Sequence, residues 1–332
     1  MSEHTTETKG PLVLAALLTA FLFISCANGD EGDLDPAAPD DSNLSDEEQD
    51  ENGEDEEPGE NGEENDEEGE EEDPEKPQPA PLPDYSGGDC PPMSAGTVAI
   101  SSGANQRQVH LDVPDQPGGA PVLFVYHGAG SNAEQFVSFF RTAHIASTYG
   151  VIVVTPSSTG LFQYEWPFLD HEDASVDTVL FTDVLACLDQ QYEIDLARVY
   201  TTGFSAGGLW STYLMMHMSE HLASVAIFSG GTGGMASAYQ PPSWRIPVLA
   251  THGGPTDQVV IRFDISTEEM AVALVDDGHL VIVCAHDGGH TIPWDIPSLM
   301  MPFLLSHAFG VPDLTILEDG LDDSWPSECA IR

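Results

Sequence analysis

A serine set between two glycines, Gly203-Phe204-Ser205-Ala206-Gly207, joins an apolar β-type run, Val199 to Thr202, to a helix-forming stretch, Leu209 to Met218. A hydroxyl is a weak nucleophile until a base takes its proton. A tight strand-to-helix turn helps by exposing the oxygen and placing a helix N-terminus beneath developing negative charge. Two later loops supply the missing parts. His290, in Asp287-Gly288-Gly289-His290, follows the apolar run Leu280 to Ala285 and can act as base and then as acid. Asp257, in His252-Gly253-Gly254-Pro255-Thr256-Asp257, follows the run Ile246 to Thr251 and can orient the imidazole, with Asp264 as the alternative. An oxyanion needs no titratable side chain. The backbone N–H of Ala206, just after the serine, and that of Ala129, in His127-Gly128-Ala129-Gly130, can bind it. The chemistry such a set performs is acyl transfer.

These loops must converge, and the chain carries the elements to make them do so. Pro121 to Tyr126, Val151 to Thr155, the run before Ser205, Ser224 to Phe228, Ile246 to Thr251 and Leu280 to Ala285 read as buried strands. Helices are predicted from Ala133 to Tyr149 and from Ala174 to Gln191, and two short strands, Gly96 to Ile100 and Gln106 to Val113, open the domain. Continuous apolar strands alternating with helices predict an α/β fold, a mostly parallel sheet with helices on both faces. In such a sheet the site gathers where strands end. The chain order Ser205, Asp257, His290 is that of an α/β-hydrolase.

Composition divides the 332 residues sharply. The net charge of -49 is concentrated between Asp30 and Glu75, where apolar side chains are nearly absent and burial cannot offset chain entropy. The predicted organisation is a signal peptide of lipoprotein type at 1–26, a disordered acidic and proline-rich linker at 27–89, and a catalytic domain at 90–332. Pro11 to Ile24 is an apolar core suited to export and too short to span a bilayer, and Ser25-Cys26 at its edge resembles a lipoprotein cleavage site with Cys26 lipidated. Only Lys9 and Lys76 are lysines, so the folded part is acidic and nucleic acid is excluded as a partner. Export also makes the cysteines informative. Cys90, Cys187, Cys284 and Cys329 can form two disulfides in three connectivities.

The remaining candidates are binding residues. His127, Gly128, Trp166 and Trp294 can touch substrate, the tryptophans as an apolar or sugar-stacking wall, although His127 and His252 at strand ends also suit structural roles and core packing suits Trp166 equally. His286 and His290 stand four apart, yet the intervening glycines disfavour a helix and no second cluster supplies ligands, so no metal is expected.

His127-Gly128-Ala129-Gly130, the block Asp195 to Gly208 and Gly288-Gly289-His290 together resemble the polyhydroxybutyrate depolymerase and feruloyl-esterase-like family of α/β-hydrolases, over roughly Gly96 to Phe309. The resemblance implies a secreted serine esterase with no cofactor, with Ser205, Asp257 and His290 as its triad. A monomer acting on small or oligomeric esters is expected, meeting a membrane only through a lipid on Cys26. Two other readings remain: a small peptidase of prolyl-oligopeptidase type, and a surface binding module that keeps the scaffold without the chemistry.

Overall fold

The computed structural model describes residues 77–159, 166, 174–234, 236–293, 296–312 and 314–332. Cys26, residues 27–76 of the expected linker and Trp294 lie outside the described residues.

Nine strands form one sheet in the order β1-β2-β4-β3-β5-β6-β7-β8-β9. The strands are β1 (Gly96–Ser102), β2 (Asn105–Asp112), β3 (Val122–Tyr126), β4 (Ile152–Pro156), β5 (Val199–Phe204), β6 (Ser224–Phe228), β7 (Val248–His252), β8 (Val281–Ala285) and β9 (Cys329–Ile331). From β4 through β3, β5, β6 and β7 to β8 every pairing is parallel, while β1, β2 and β9 pair antiparallel at the margins. The fold class expected from the sequence is the one found.

Because alternate side chains of a strand face opposite ways, the buried strands feed two cores. Phe124, Val154, Val225, Ile227, Val248 and Val283 pack with α3 (Ser175–Tyr192), α4 (Ala206–His217) and α5 (Phe263–Asp276) on one face. Leu123, Val153, Ala226, Leu249 and Ile282 pack with α1 (Ala133–Phe140), α2 (Thr142–Tyr149) and α6 (Ile296–Leu305) on the other. A short α7 (Thr315–Asp319) precedes β9.

Three details depart from the sequence expectation. The helix predicted over 133–149 is two helices, separated at Arg141, whose φ of 54° places it in the left-handed region. β9 was not foreseen. It pairs Cys284 with Cys329, which are joined as a disulfide, and the other disulfide joins Cys90 to Cys187. The boundary at residue 89 is also too late. Ala80 N–H donates to the Glu220 carbonyl, Ser86 donates to both carboxylate oxygens of Asp183, and Leu82 and Tyr85 pack against the core. Residues 77–89 are therefore part of the folded unit rather than linker.

A buried ion pair joins β2 to α3. The Arg107 guanidinium on β2 bonds Asp177 Oδ1 at 2.5 Å, the Ser157 carbonyl at 3.0 Å and the Val176 carbonyl at 3.3 Å. It thus ties the chain leaving β4 to the start of α3.

Candidate active site

Ser205 sits between β5 and α4 with φ 59° and ψ −118°, a backbone state that L-residues avoid and that costs of the order of 1–3 kcal/mol. The surroundings enforce it. The Ser205 N–H donates to the Phe228 carbonyl on neighbouring β6 at 3.0 Å, and Leu209 N–H returns to the Ser205 carbonyl to start α4. The two flanking glycines are required by close approach: a Cβ on Gly203 would lie 2.3 Å from the Gly207 carbonyl oxygen, and one on Gly207 would lie 2.1 Å from the Tyr126 carbonyl oxygen.

The two later loops meet at this turn. His290 Nε2 lies 2.9 Å from Ser205 Oγ, and its Nδ1 lies 2.6 Å from Asp257 Oδ1. With a carboxylate at Nδ1, the proton of a neutral ring belongs on Nδ1, which leaves the Nε2 lone pair facing the serine hydroxyl. Asp257 is fully buried, and its other oxygen accepts from Ser229 Oγ and from the Gly253 N–H, both at 2.8 Å. Three donors therefore hold one carboxylate, the condition under which a buried charge is tolerated. Asp264, the alternative, is engaged elsewhere. It begins α5 in a bidentate pair with Arg262, which lowers its carboxyl pKa mainly through those hydrogen bonds.

Several features of this site could not be read from motifs. Ser229, at the end of β6 with φ 48°, is one. The ring of His290 lies between two phenylalanines, Phe204 at a centroid distance of 4.6 Å and Phe263 at 4.8 Å, which confine its plane. The aspartate and histidine loops are joined backbone to backbone, His286 N–H donating to the His252 carbonyl and Gly289 N–H to the Gly253 carbonyl. A Cβ on Gly253 would fall 1.8 Å from the Gly289 carbonyl oxygen, so this glycine permits the junction.

The His-Gly-Ala-Gly loop follows β3 and passes close to Ser205, since a Cβ on Gly128 would lie 3.4 Å from that of Ser205. Ala129 and Ala206 are both buried, and among the described residues neither backbone N–H donates to a protein acceptor.

Two binding expectations need correction. His127 is fully buried rather than facing substrate, because its ring nitrogens are spent on the backbone: Nδ1 lies 2.9 Å from the Gly128 carbonyl and Nε2 accepts from the Ser158 N–H at 3.3 Å. Burial lowers its pKa to about 4 and keeps it neutral. Trp166 is also fully buried. Its indole N–H donates to the His127 carbonyl at 2.9 Å, and its ring packs against Tyr126, His127 and Trp210, so it braces the loop from behind instead of walling an open cleft. Among the described residues no group of three or more His, Cys, Asp or Glu side chains could hold a metal ion. His286 Nδ1 accepts the Gly288 N–H, and His252 pairs with Glu268.

A mostly parallel sheet with the strained serine turn after β5 and the histidine and aspartate loops after β8 and β7 defines an α/β-hydrolase fold. Residues 115–245 match the family described as Esterase PHB depolymerase, and the chain is related to the polyhydroxybutyrate depolymerase and feruloyl-esterase-like hydrolases. That match takes in the Ala129 loop and Ser205 but not Asp257 or His290. The chain is 27% identical over 153 residues to a bifunctional acetylxylan esterase/xylanase of Neocallimastix patriciarum, covering 46% of this chain and 22% of that protein. It is 28% identical over 136 residues to feruloyl esterase B of Thermothelomyces thermophilus, covering 39% of this chain and 46% of that one. The chain spans less than half the length of the curated relatives it matches. Among solved structures, native pOPH superposes with a TM-score of 0.60 at 17% identity, covering 73% of this chain and 97% of the other. The acetyl xylan esterase of Aspergillus awamori gives 0.50 at 16%, covering 62% and 98%.

Proposed function

We propose that the protein is an exported serine esterase that cleaves carboxylic esters through an acyl-enzyme. The observation that carries this reading is the continuous line of hydrogen bonds from Ser205 Oγ through His290 to the buried Asp257 carboxylate. Ser205 Oγ attacks the ester carbonyl carbon while His290 Nε2 takes its proton, and the Asp257 charge stabilises the imidazolium that forms. The carbonyl oxygen becomes an oxyanion received by the N–H groups of Ala129 and Ala206, an arrangement in which each donor contributes about 10²–10³ in rate. Collapse expels the alcohol, protonated by His290, and leaves Ser205 acylated. Water, deprotonated by the same imidazole, then releases the acid and restores the hydroxyl.

The names of the relatives, an acetylxylan esterase and feruloyl esterases, support acetyl and feruloyl esters as the substrate class. Two disulfides support an oxidising destination for the folded domain. Hydrolysis of short-chain p-nitrophenyl esters by the wild type and by Ser205→Ala tests the reading. Activity is expected to disappear with the hydroxyl, and full activity in Ser205→Ala rejects it. A fluorophosphonate probe should label the folded wild type and not the variant. Among aryl, acetyl-sugar and hydroxyalkanoate esters, the fastest turnover then identifies the substrate class.

A further inference from the structure

The chain leaves β6 through a strained residue. Ser229 has φ 48°, in the left-handed region that glycine occupies freely and other residues avoid, and the next two residues are themselves glycines. Three neighbouring elements hold the strained chain in place. Ser229 N–H donates to the Thr251 carbonyl of β7 at 2.9 Å, the Gly230 carbonyl accepts Ser266 Oγ at 2.8 Å and Thr267 Oγ1 at 3.0 Å from α5, and Gly231 N–H donates to Thr212 Oγ1 of α4 at 3.1 Å. What this secures is the direction of one side chain. The fully buried Ser229 hydroxyl donates to Asp257 Oδ2, while the Phe228 carbonyl, one residue earlier, accepts the Ser205 N–H. The end of β6 thus holds the backbone of the nucleophile with one residue and the carboxylate with the next.

We infer that Ser229 is a positioning residue of the triad: its hydroxyl sets the plane of the Asp257 carboxylate, and through it the ring of His290, in register with the Ser205 turn. The inference rests on the esterase reading. A carboxylate turns about its Cβ–Cγ bond in a broad torsion, so one contact does not fix which oxygen meets the imidazole. The two donors on Oδ2 differ in what carries them. The Gly253 N–H belongs to the aspartate's own loop and moves with it, whereas Ser229 is bound to the sheet through Thr251. Alanine at 229 keeps the strain and loses the bond, while glycine loses both. If the residue serves only to turn the chain, glycine is the better substitute and restores activity; if the hydroxyl positions the carboxylate, both substitutes fail alike.

The two roles separate in kinetics with p-nitrophenyl butyrate. Active sites are first counted by fluorophosphonate labelling run to completion, so that kcat refers to competent enzyme and not to total protein. Ser229→Ala and Ser229→Gly should each lower kcat per labelled site by about 10–10²-fold, the loss expected when a hydrogen bond to a buried charge is removed. KM should change little. Because the effect passes through the carboxylate, Ser229→Ala added to Asp257→Asn should slow the labelling rate by less than about threefold beyond Asp257→Asn alone. Folding is checked by near-ultraviolet circular dichroism, and if Ser229→Ala does not fold, Ser229→Gly, whose backbone suits φ 48°, decides. A folded Ser229→Gly with wild-type kcat per site, a defect confined to KM, or losses that multiply in full in the double variant overturns the inference. A wild type that neither hydrolyses the ester nor takes the fluorophosphonate brings down the esterase reading and this inference with it. An active wild type with an indifferent Ser229→Gly brings down the inference alone.

Discussion

Gly253→Ala should disable the site without touching a reacting group. Gly253 has φ −92°, so alanine meets no backbone penalty there and the effect is one of space alone. The new Cβ would stand 1.8 Å from the Gly289 carbonyl oxygen, whereas carbon and oxygen in ordinary close contact keep about 3.3 Å. The aspartate and histidine loops must therefore separate by about 1.5 Å at this point, the difference between those two distances. Gly289 immediately precedes His290, whose contact with Ser205 is 2.9 Å, and a displacement of 1 Å can cost about 10²-fold in rate. The expected result is a fall in kcat of at least about 10²-fold, an equally slowed reaction with fluorophosphonate, and KM nearly unchanged. Gly119→Ala is the control. Gly119 has φ +69° and open space around its Cα, so alanine there should cost about 1–2 kcal/mol of stability and leave kcat alone. Steady-state kinetics and urea denaturation on both variants separate the two effects. A folded Gly253→Ala with wild-type kcat would refute the reasoning that this junction sets the position of His290.

Other outcomes follow from the same geometry. Asp257→Asn should lower kcat by about 10⁴-fold because the histidine loses the partner that fixes its tautomer, whereas Asp264→Asn should leave kcat within about twofold; equal losses would reopen the choice between the two carboxylates. His127 titrates at about 4 when folded and near 6.5 when unfolded, so the unfolded chain binds the extra proton between those values. Stability should be complete above about pH 6.5 and fall as pH drops toward 4, by about 3 kcal/mol from this residue. His217, His221, His279 and His286 shift in the same direction through burial and add to the slope. In urea titrations at stepped pH, His127→Asn should flatten that dependence, and an unchanged slope would contradict it. On the sequence expectation alone that Cys26 is lipidated, Cys26→Ser should move the protein from the membrane fraction to the soluble one with unaltered specific activity, and a wild type already soluble, with a mature N-terminus other than a modified Cys26, would show simple secretion.

The central sheet was legible because its parallel strands are buried on both faces, so Val122–Tyr126 and Ser224–Phe228 read as unbroken apolar runs. β9 is three residues long and carries no period to detect, and its place depends on a partner strand 45 residues away. The break at Arg141 has neither glycine nor proline to announce it. Proline density between 77 and 83 signals a stiff segment, but composition does not say whether a stiff segment is free or docked, and here Tyr85 and Ser86 dock it. In the site, Ser205, Asp257 and His290, which hydrogen bonds bring together, each follow a recognisable strand. Ser229 and the burial of His127 were not legible, because each bonds an atom supplied by a different loop or by backbone, and backbone direction leaves no mark in residue types.

The two cross-links carry a consequence for when this chain becomes stable. Cys90–Cys187 closes a span of 97 residues and Cys284–Cys329 one of 45, which in the chain-entropy account restrict the unfolded ensemble by about 5 and about 4 kcal/mol. Those amounts are comparable with the whole stability of an ordinary domain, about 5–15 kcal/mol. Before oxidation the first link is missing between the docked entry segment and α3, and the second between β9 and the strand that leads to His290. Without the two links the chain would thus stand close to its folding threshold, and oxidation would convert it to the durable form in which the strand leading to His290 is capped by β9.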